Sequence, residues 1–292
     1  MIQVRSACKI NLTLDVLGRR PDGYHKIDSL VHTVALWDEI TVIPGQSGFD
    51  SNVELPAENL CTRAASAWLR VQPDAGFQTV RVVLKKNLPV GAGIGAGSAN
   101  AAAVLLALNQ WQRRVGREPL SPTQLVPLAT SLGADVPLFL DGGAQRMQGI
   151  GDRLTSLPAA PFWIVLLKPP VFGDTRAIFS IWSQTQTTSF RSTQRLIESW
   201  ENLDIHGVAA GLGNDLAEPA RCSGQPVDET LELLRRAGAL GAGLSGSGTA
   251  CFGLFQNETA ARAAELQLTT EVPADWFCAT AALCPHGVQF DT

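Results

Sequence analysis

Aromatic hydroxyls, histidines and charge are all scarce in this chain, which has one tyrosine, Tyr24, four histidines and charged residues at only 17% of its length. No apolar run approaches the roughly 20 residues that a helix needs to cross a bilayer, so a helical membrane anchor is not expected. Six cysteines, Cys8, Cys61, Cys222, Cys251, Cys278 and Cys284, contain no C-x-x-C pair and no cysteine–histidine spacing of a zinc site. They read as buried thiols of a reducing cytosol. No basic excess exists either. A net charge of -4 argues against a nucleic-acid surface, so any anionic ligand must be held locally. Met1-Ile2-Gln3-Val4-Arg5 opens on strand-like alternation rather than on a basic segment, an apolar stretch and a cleavage site, which leads to the expectation of an unexported, cytoplasmic protein. The P-loop pattern G-x-x-x-x-G-K-[ST] is missing as well, and the glycine-rich stretch at residues 91–100 does not fit the dinucleotide pattern G-x-G-x-x-G, since Gly93 and Gly95 are followed at the required position by Ser98.

What the chain does have is glycine at every second position from Gly91 to Gly97, in Pro89-Val90-Gly91-Ala92-Gly93-Ile94-Gly95-Ala96-Gly97-Ser98-Ala99-Asn100, followed at once by the apolar stretch Ala101 to Asn109. This is a glycine loop running into a buried helix. Unpaired N–H groups at a helix start carry about half a unit of positive charge and can seat a phosphate without a cationic side chain. A flexible loop before a core helix is the plainer alternative.

At 292 residues and 45% hydrophobic content, the chain is long and apolar enough for two domains with a cleft between them. The boundary is placed at 157/158, where small residues and prolines cluster. Before it, strands are expected over Ile2 to Val16, with Lys9 and Asn11 opposite Ile10 and Leu12, and over Ser29 to Val42 around a Trp37-Asp38-Glu39 turn. A helix follows Glu58-Asn59, a strand covers Thr79 to Leu84, and Ser121-Pro122 starts a helix that Gly133 ends. After the boundary come a strand at Phe162 to Lys168, a helix at Asp174 to Trp182, a polar loop at Thr187 to Glu201, and a helix capped by Asp228. A small glycine turn at Ser245-Gly246-Ser247-Gly248, a helix at Glu258 to Leu268 and a last strand at Trp276 to Leu283 complete the run.

Individually, the polar residues are ambiguous. Lys9 points to solvent or into a polar cavity. Asp135, alone among apolar neighbours, either binds nearby backbone N–H groups or serves chemistry. Tyr24 and His25 could be turn and packing residues, and Ser245 to Gly248 a hairpin turn.

Together, the segments Lys9-Ile10-Asn11-Leu12, Gly18-Arg19-Arg20-Pro21-Asp22-Gly23-Tyr24-His25, Pro89 to Asn100, Gly133-Ala134-Asp135-Val136-Pro137 and Leu244 to Gly248, in that order, resemble the GHMP kinase superfamily. Within it they are most similar to the branch that phosphorylates a cytidine diphosphate-linked methylerythritol. The resemblance implies an α+β, two-domain enzyme, with a ribosomal S5 domain 2-like first half and a ferredoxin-like second half. It implies ATP as co-substrate with Mg²⁺, no nucleic-acid or membrane partner, and a monomer or weak homodimer. By the same resemblance Asp135 matches a catalytic base and Lys9 a catalytic lysine. Residues 89–100, with Asn59 and Lys86 near adenine, match ATP contacts. Asn11, Tyr24, His25, Thr175 and Phe179 match substrate contacts, Tyr24 and Phe179 being the two aromatic walls of a cytosine slot. Two departures stand out. Cys8 replaces the usual alanine, and Ala99 replaces the usual second serine of the loop, which leaves Ser98 as the candidate Mg²⁺ ligand.

Overall fold

The computed structural model describes residues 1–186 and 193–290. The first half contains β1 (Ile2–Asn11), β2 (Thr13–Arg19), β3 (His25–Pro44), β4 (Gly48–Ser51), α1 (Leu60–Val71), β5 (Val80–Lys85), α2 (Ala96–Arg114), α3 (Pro122–Leu132), α4 (Leu138–Asp141), β6 (Ala144–Gly149) and β7 (Arg153–Leu157). Then follow β8 (Trp163–Lys168), α5 (Thr175–Thr185), α6 (Thr193–Glu201), α7 (Ile205–Gly211), β9 (Gly213–Asn214) and α8 (Ala217–Cys222). The chain ends through α9 (Val227–Arg236), β10 (Gly241–Leu244), β11 (Cys251–Phe255), α10 (Glu258–Glu271), β12 (Phe277–Ala282) and β13 (Val288–Phe290).

The 20-residue β3 is the spine of the larger sheet. Along one edge it pairs first with β2 and then with β1, and along the other with β6 and then β5, all antiparallel. The turn expected at Trp37-Asp38-Glu39 is not there. The strand runs through it with an irregularity, Ala7 facing Trp37 while Cys8 faces Val34. Asp38 is polar for another reason: its buried carboxylate takes the N–H groups of Asn87 and Leu88 and ion-pairs with the buried Lys86. That anchor fixes the approach to the glycine loop. Removing one member of a buried pair strands the other charge, so the pair acts as a rigid peg.

The smaller sheet has the order β10-β11-β8-β12. Central β8 is buried on both faces, as a continuous apolar run requires: Ile164 and Leu166 enter a core shared between the two sheets, while Val165 and Leu167 pack under α5, α8, α9 and α10. A third core lies between the large sheet and α1 to α4, where Ala99, Ala101, Ala102 and Ala103 let α2 approach the sheet closely. The intersheet core contains Cys8 and Ile10 of β1 and Leu12 just after it, together with Ala92, Ile94 and Ala96, so the glycine loop is fastened into the joint of the molecule.

Several sequence expectations need correction. Of the polar loop expected over 187–201, residues 187–192 lie outside the described residues, and the rest is α6, whose Leu196, Ile197 and Trp200 are buried. Its outward polar residues dilute a narrow apolar stripe. Asp228 is not the cap of α9 but sits in its first turn, bonded to Arg221 at 2.7 Å. The strand at β12 is not the last, since β13 returns to pair with β1 and at three residues is too short to show a period. Cys222, expected buried, is exposed at the end of α8.

His32 sits in the intersheet core, 1% exposed, with Nδ1 on the Thr33 carbonyl at 2.7 Å and its ring 5.4 Å from Trp200. Burial lowers its pKa to about 4 from 6.5. Between those values the unfolded chain binds a proton that the folded chain refuses, so stability is full above pH 6.5 and falls toward pH 4. The loss from this one group is about 3 kcal/mol. Urea unfolding at steps of pH, on wild type and His32→Gln, should show the steeper acid loss in wild type, and parallel curves would dismiss the assignment.

Candidate active site

Two adjoining cavities, of about 750 and 460 Å³, meet at Gly93, Gly95 and Thr175. The glycine loop forms their common wall. Three consecutive carbonyls of that loop are turned into the protein: Ala92 O accepts from Ala250 N at 3.1 Å, Gly93 O from Lys9 Nζ at 2.6 Å and Ser245 Oγ at 3.1 Å, and Ile94 O from Lys9 N at 2.9 Å. These peptides are trans, so the N–H groups of Gly93, Ile94 and Gly95 point the opposite way. None of the N–H groups of residues 93–98 has an acceptor among the described residues. Gly95, at φ 68, is the N-cap of α2 and offers no side-chain cap. The result is a row of outward donors at a helix start, an arrangement able to seat an anion.

The turn Ser245 to Gly248 joins β10 to β11 as a hairpin would, and it also presses against this loop. A Cβ on Gly93 would lie 2.3 Å from the Ser245 carbonyl, and one on Gly95 would lie 2.9 Å from the Phe139 ring. Gly97 differs, because its Cβ would only touch Leu60 at 3.5 Å. Thr175 Oγ1 and Ser247 Oγ share a hydrogen bond of 2.7 Å where the halves meet.

Lys9 faces the larger cavity rather than solvent and is 4% exposed. Its ammonium bonds Asn11 Oδ1 and Gly93 O, both at 2.6 Å. Burial lowers its pKa, and the charge of Asp135 pulls it partly back up. Asn11 turns its amide to Ser29 Oγ at 2.8 Å, so it orients Lys9 while lining the cavity. The Asp135 carboxylate lines the same cavity and takes no hydrogen bond among the described residues, which removes the alternative of a backbone cap.

At the far end of this cavity, His25 stacks on Phe179 with centroids 4.8 Å apart and meets Trp182 edge-on at 5.5 Å. The expected arrangement of Tyr24 and Phe179 as facing walls is therefore modified: one face of Phe179 is taken by His25, and Tyr24 stands 62% exposed at the rim. Ser183 Oγ donates to the Phe179 carbonyl at 2.9 Å, so it accepts from His25 Nε2 at 2.7 Å. That leaves Nδ1 as the acceptor of a neutral ring, in keeping with a pKa lowered by burial and by Arg19. Ser183 escaped sequence reading, although its place four residues after Phe179 puts it on the same helical face.

The smaller cavity is lined by residues 89–98, Asn100, Asn59 and Lys86. The Asn59 side chain is occupied as the cap of α1, accepting from the N–H groups of Cys61 and Thr62, and Lys86 is held by Asp38. Asn100 Oδ1 accepts from Ser6 Oγ at 2.7 Å. The Ser98 hydroxyl has no partner among the described residues. No cluster of three His, Cys, Asp or Glu that could hold a metal ion occurs among the described residues. The free Ser98 hydroxyl on the wall of the smaller cavity is an oxygen donor of the kind that suits Mg²⁺ carried on phosphates, which takes few protein ligands.

Residues 59–143 match the GHMP kinases N terminal domain and residues 196–274 match GHMP kinases C terminal. A 4-diphosphocytidyl-2-C-methyl-D-erythritol kinase of Geobacter sp. (strain M21) is 37% identical over 95% of this chain and 97% of its own. One from Cereibacter sphaeroides (strain ATCC 17025 / ATH 2.4.3) is 39% identical over 94% and 97%. The fold is similar to the crystal structure of a 4-(cytidine 5'-diphospho)-2C-methyl-D-erythritol kinase, with TM-score 0.79 and 32% identity over 96% of this chain and 99% of that one. A homoserine kinase from Cytophaga hutchinsonii shares the fold at TM-score 0.74 and 19% identity, covering 99% of this chain and 97% of its own.

The loop geometry separates two substitutions. Gly93→Ala should lower stability by roughly 2 kcal/mol or more, since it adds a positive-φ penalty to a backbone clash. Gly97→Ala, in an ordinary helical position, should be neutral or stabilising by up to about 1 kcal/mol. Thermal melts of both decide it; equal melting temperatures would contradict the packing role of Gly93.

Proposed function

The chain belongs to the 4-diphosphocytidyl-2-C-methyl-D-erythritol kinases of the GHMP kinase family, and from that membership we infer that it moves the γ-phosphoryl group of ATP to the 2-hydroxyl of 4-diphosphocytidyl-2-C-methyl-D-erythritol, giving the 2-phosphate and ADP in the non-mevalonate route to isoprenoid precursors. The observation that carries the reading at residue level is the meeting of two cavities at one row of outward N–H groups, with the free Asp135 carboxylate and the Lys9 ammonium on the larger side. In this proposal residues 1–157 supply the ATP loop, residues 158–292 close the cleft, and the enzyme works in the cytoplasm as a monomer or weak homodimer.

Phosphoryl transfer depends on positioning and charge stabilisation more than on covalent help, because the transition state is loose and its charge is spread over oxygens. Preorganised N–H groups from Gly93 to Ser98 meet that charge without reorganising. Ser98 would help hold Mg²⁺ carried on the ATP phosphates, and the ion would supply further charge neutralisation there. Asp135 takes the proton of the 2-hydroxyl. An ammonium has three donors and Lys9 spends two on Asn11 and Gly93, so the third is left for the developing alkoxide or the transferred group. Asn59 and Lys86 shape the adenine end through backbone and stem, their polar ends being occupied. Thr175, Asn11, Tyr24 and Phe179 line the substrate path.

Base choice follows from the His25 tautomer. A neutral ring that gives Nε2–H to Ser183 presents Nδ1 as an acceptor, which suits the exocyclic amine of cytosine and repels the oxygen that uracil carries instead.

Coupled ATP consumption should detect turnover with the cytidine substrate and none with mevalonate or homoserine; the reverse pattern would discard the assignment. In that assay Asp135→Asn should keep ATP binding and lose kcat by roughly 10² to 10⁴, the worth of a positioned base. Near-normal turnover would remove Asp135 from the mechanism. Calorimetry with cytidine and uridine diphosphates should favour cytidine in wild type by about tenfold or more, the cost of one mispaired polar contact, and His25→Ala should erase the difference. A preference that survives the substitution would place base reading elsewhere.

A further inference from the structure

Three cations, Lys9, Arg19 and Arg176, line the larger cavity against two carboxylates, Asp22 and Asp135. Lys9, at the reacting end, is already bonded to Asn11 and to Gly93 O. Two further cations line the walls, Arg19 at the end of β2 and Arg176 in the first turn of α5. The guanidinium of Arg176 has no partner among the described residues, and Arg19 spends only Nε, on the Gly23 carbonyl at 3.3 Å. Neither has a carboxylate within ion-pairing distance among the described residues. The lining carboxylates are otherwise engaged or placed: Asp22 pairs with Arg20 at 2.7 Å, and Asp135 stands beside Lys9 at the reacting end.

The start of α5 does not itself serve as the anion seat here. Asp174 caps it, accepting from the N–H groups of Arg176 and Ala177 at 2.9 and 3.3 Å. What the turn offers the cavity is the side chain of Arg176, next to Thr175 at the junction of the two cavities. Arg19 lies on the opposite element, in register with His25 across the β2–β3 pair, and lowers the pKa of that ring through space. One arginine is thus tied to the base end and the other to the phosphoryl end.

Resting on the kinase reading above, we propose that Arg19 and Arg176 form a two-guanidinium clamp for the diphosphate that links the substrate's cytidine to its methylerythritol. A diphosphate diester carries two negative charges, one on each phosphorus centre. Two otherwise unpaired guanidiniums match that count, and each presents parallel donors to phosphate oxygens. The clamp fixes the distance between the base held at His25 and Phe179 and the hydroxyl presented to Asp135, so it acts on recognition and alignment while the proton and phosphoryl steps stay with Asp135, Lys9 and the loop.

The test compares cytidine with cytidine diphosphate as ligands of the full-length enzyme, by calorimetry, alongside turnover of the full substrate. Wild type should bind the diphosphate at least tenfold more tightly than cytidine, a gap that narrows as salt screens the contact. Arg176→Ala should close the gap by about tenfold while leaving the affinity for cytidine and the KM for ATP as they were, and Arg19→Ala should close it likewise with the KM for ATP unchanged. Arg176→Lys should restore it in part, keeping the charge but losing the fork. Both residues are exposed, and melting curves are to check that the variants fold. Because Arg19 also braces the Gly23 turn, Arg176→Glu gives a second reading on the untouched element and should push the substrate KM up further still. A wild type that turns over the substrate yet shows no gap, or variants that keep it, overturns the clamp and leaves the kinase intact. A wild type that does not turn over the substrate overturns both.

Discussion

The grip of Lys9 on the glycine loop is the constraint on which the rest of this site depends. One residue holds two successive carbonyls, Gly93 O through its ammonium and Ile94 O through its backbone N–H. Burying an ammonium costs several kcal/mol unless its donors are satisfied, and here two oxygens at 2.6 Å meet that demand. The loop cannot relax without stranding the charge. In turn the ammonium cannot leave without freeing the loop, so the loop geometry and the chemistry proposed for Lys9 rest on the same bonds.

This coupling explains why the joint between the two sheets, rather than either half alone, carries the site. Ala250 of the second half fixes Ala92 O, Ser245 reaches Gly93 O, and Ala92 and Ile94 are packed among side chains from both sheets. Three carbonyls held inward set the outward donors before any ligand arrives. Preorganisation of that kind lets dipoles stabilise transition-state charge without reorganising during the reaction. The Asp38–Lys86 pair does the same for the approach to the loop, at Asn87 and Leu88.

Much of this was legible in the residues. The glycine run, the buried helix after it, the Ser121 helix start, the β8 strand and the isolation of Asp135 all follow from period, capping and composition. The α+β family fold came through motif resemblance, since strand order cannot be read from a single chain. What stayed hidden has physical reasons. Asp38 looked like a turn residue because a buried carboxylate and a turn carboxylate have the same sequence appearance; only its partners, about fifty positions away, tell them apart. The stripe of α6 was masked by flanking polar residues, and β13 is too short to show alternation. The stacking of His25 on Phe179 joins residues far apart in the chain, and neither local pattern announces it.

The glycines of this loop serve the packing of the protein around it. Glycine in such a loop suggests that a ligand's phosphate occupies the missing Cβ. Yet the absent Cβ of Gly91 points at Phe172, that of Gly93 at the Ser245 carbonyl, and that of Gly95 at Phe139 and the Lys9 stem. All three face the protein. Gly93 and Gly95, at φ 73 and 68, adopt left-handed backbone that glycine reaches without strain, and this is what turns successive carbonyls inward together. The proposed phosphate seat is therefore a consequence one step removed: glycine permits the close packing, the packing fixes the carbonyls, and planar trans peptides then leave the N–H groups facing the cavity. A side chain at these positions would damage the seat from behind, by moving the wall that supports it.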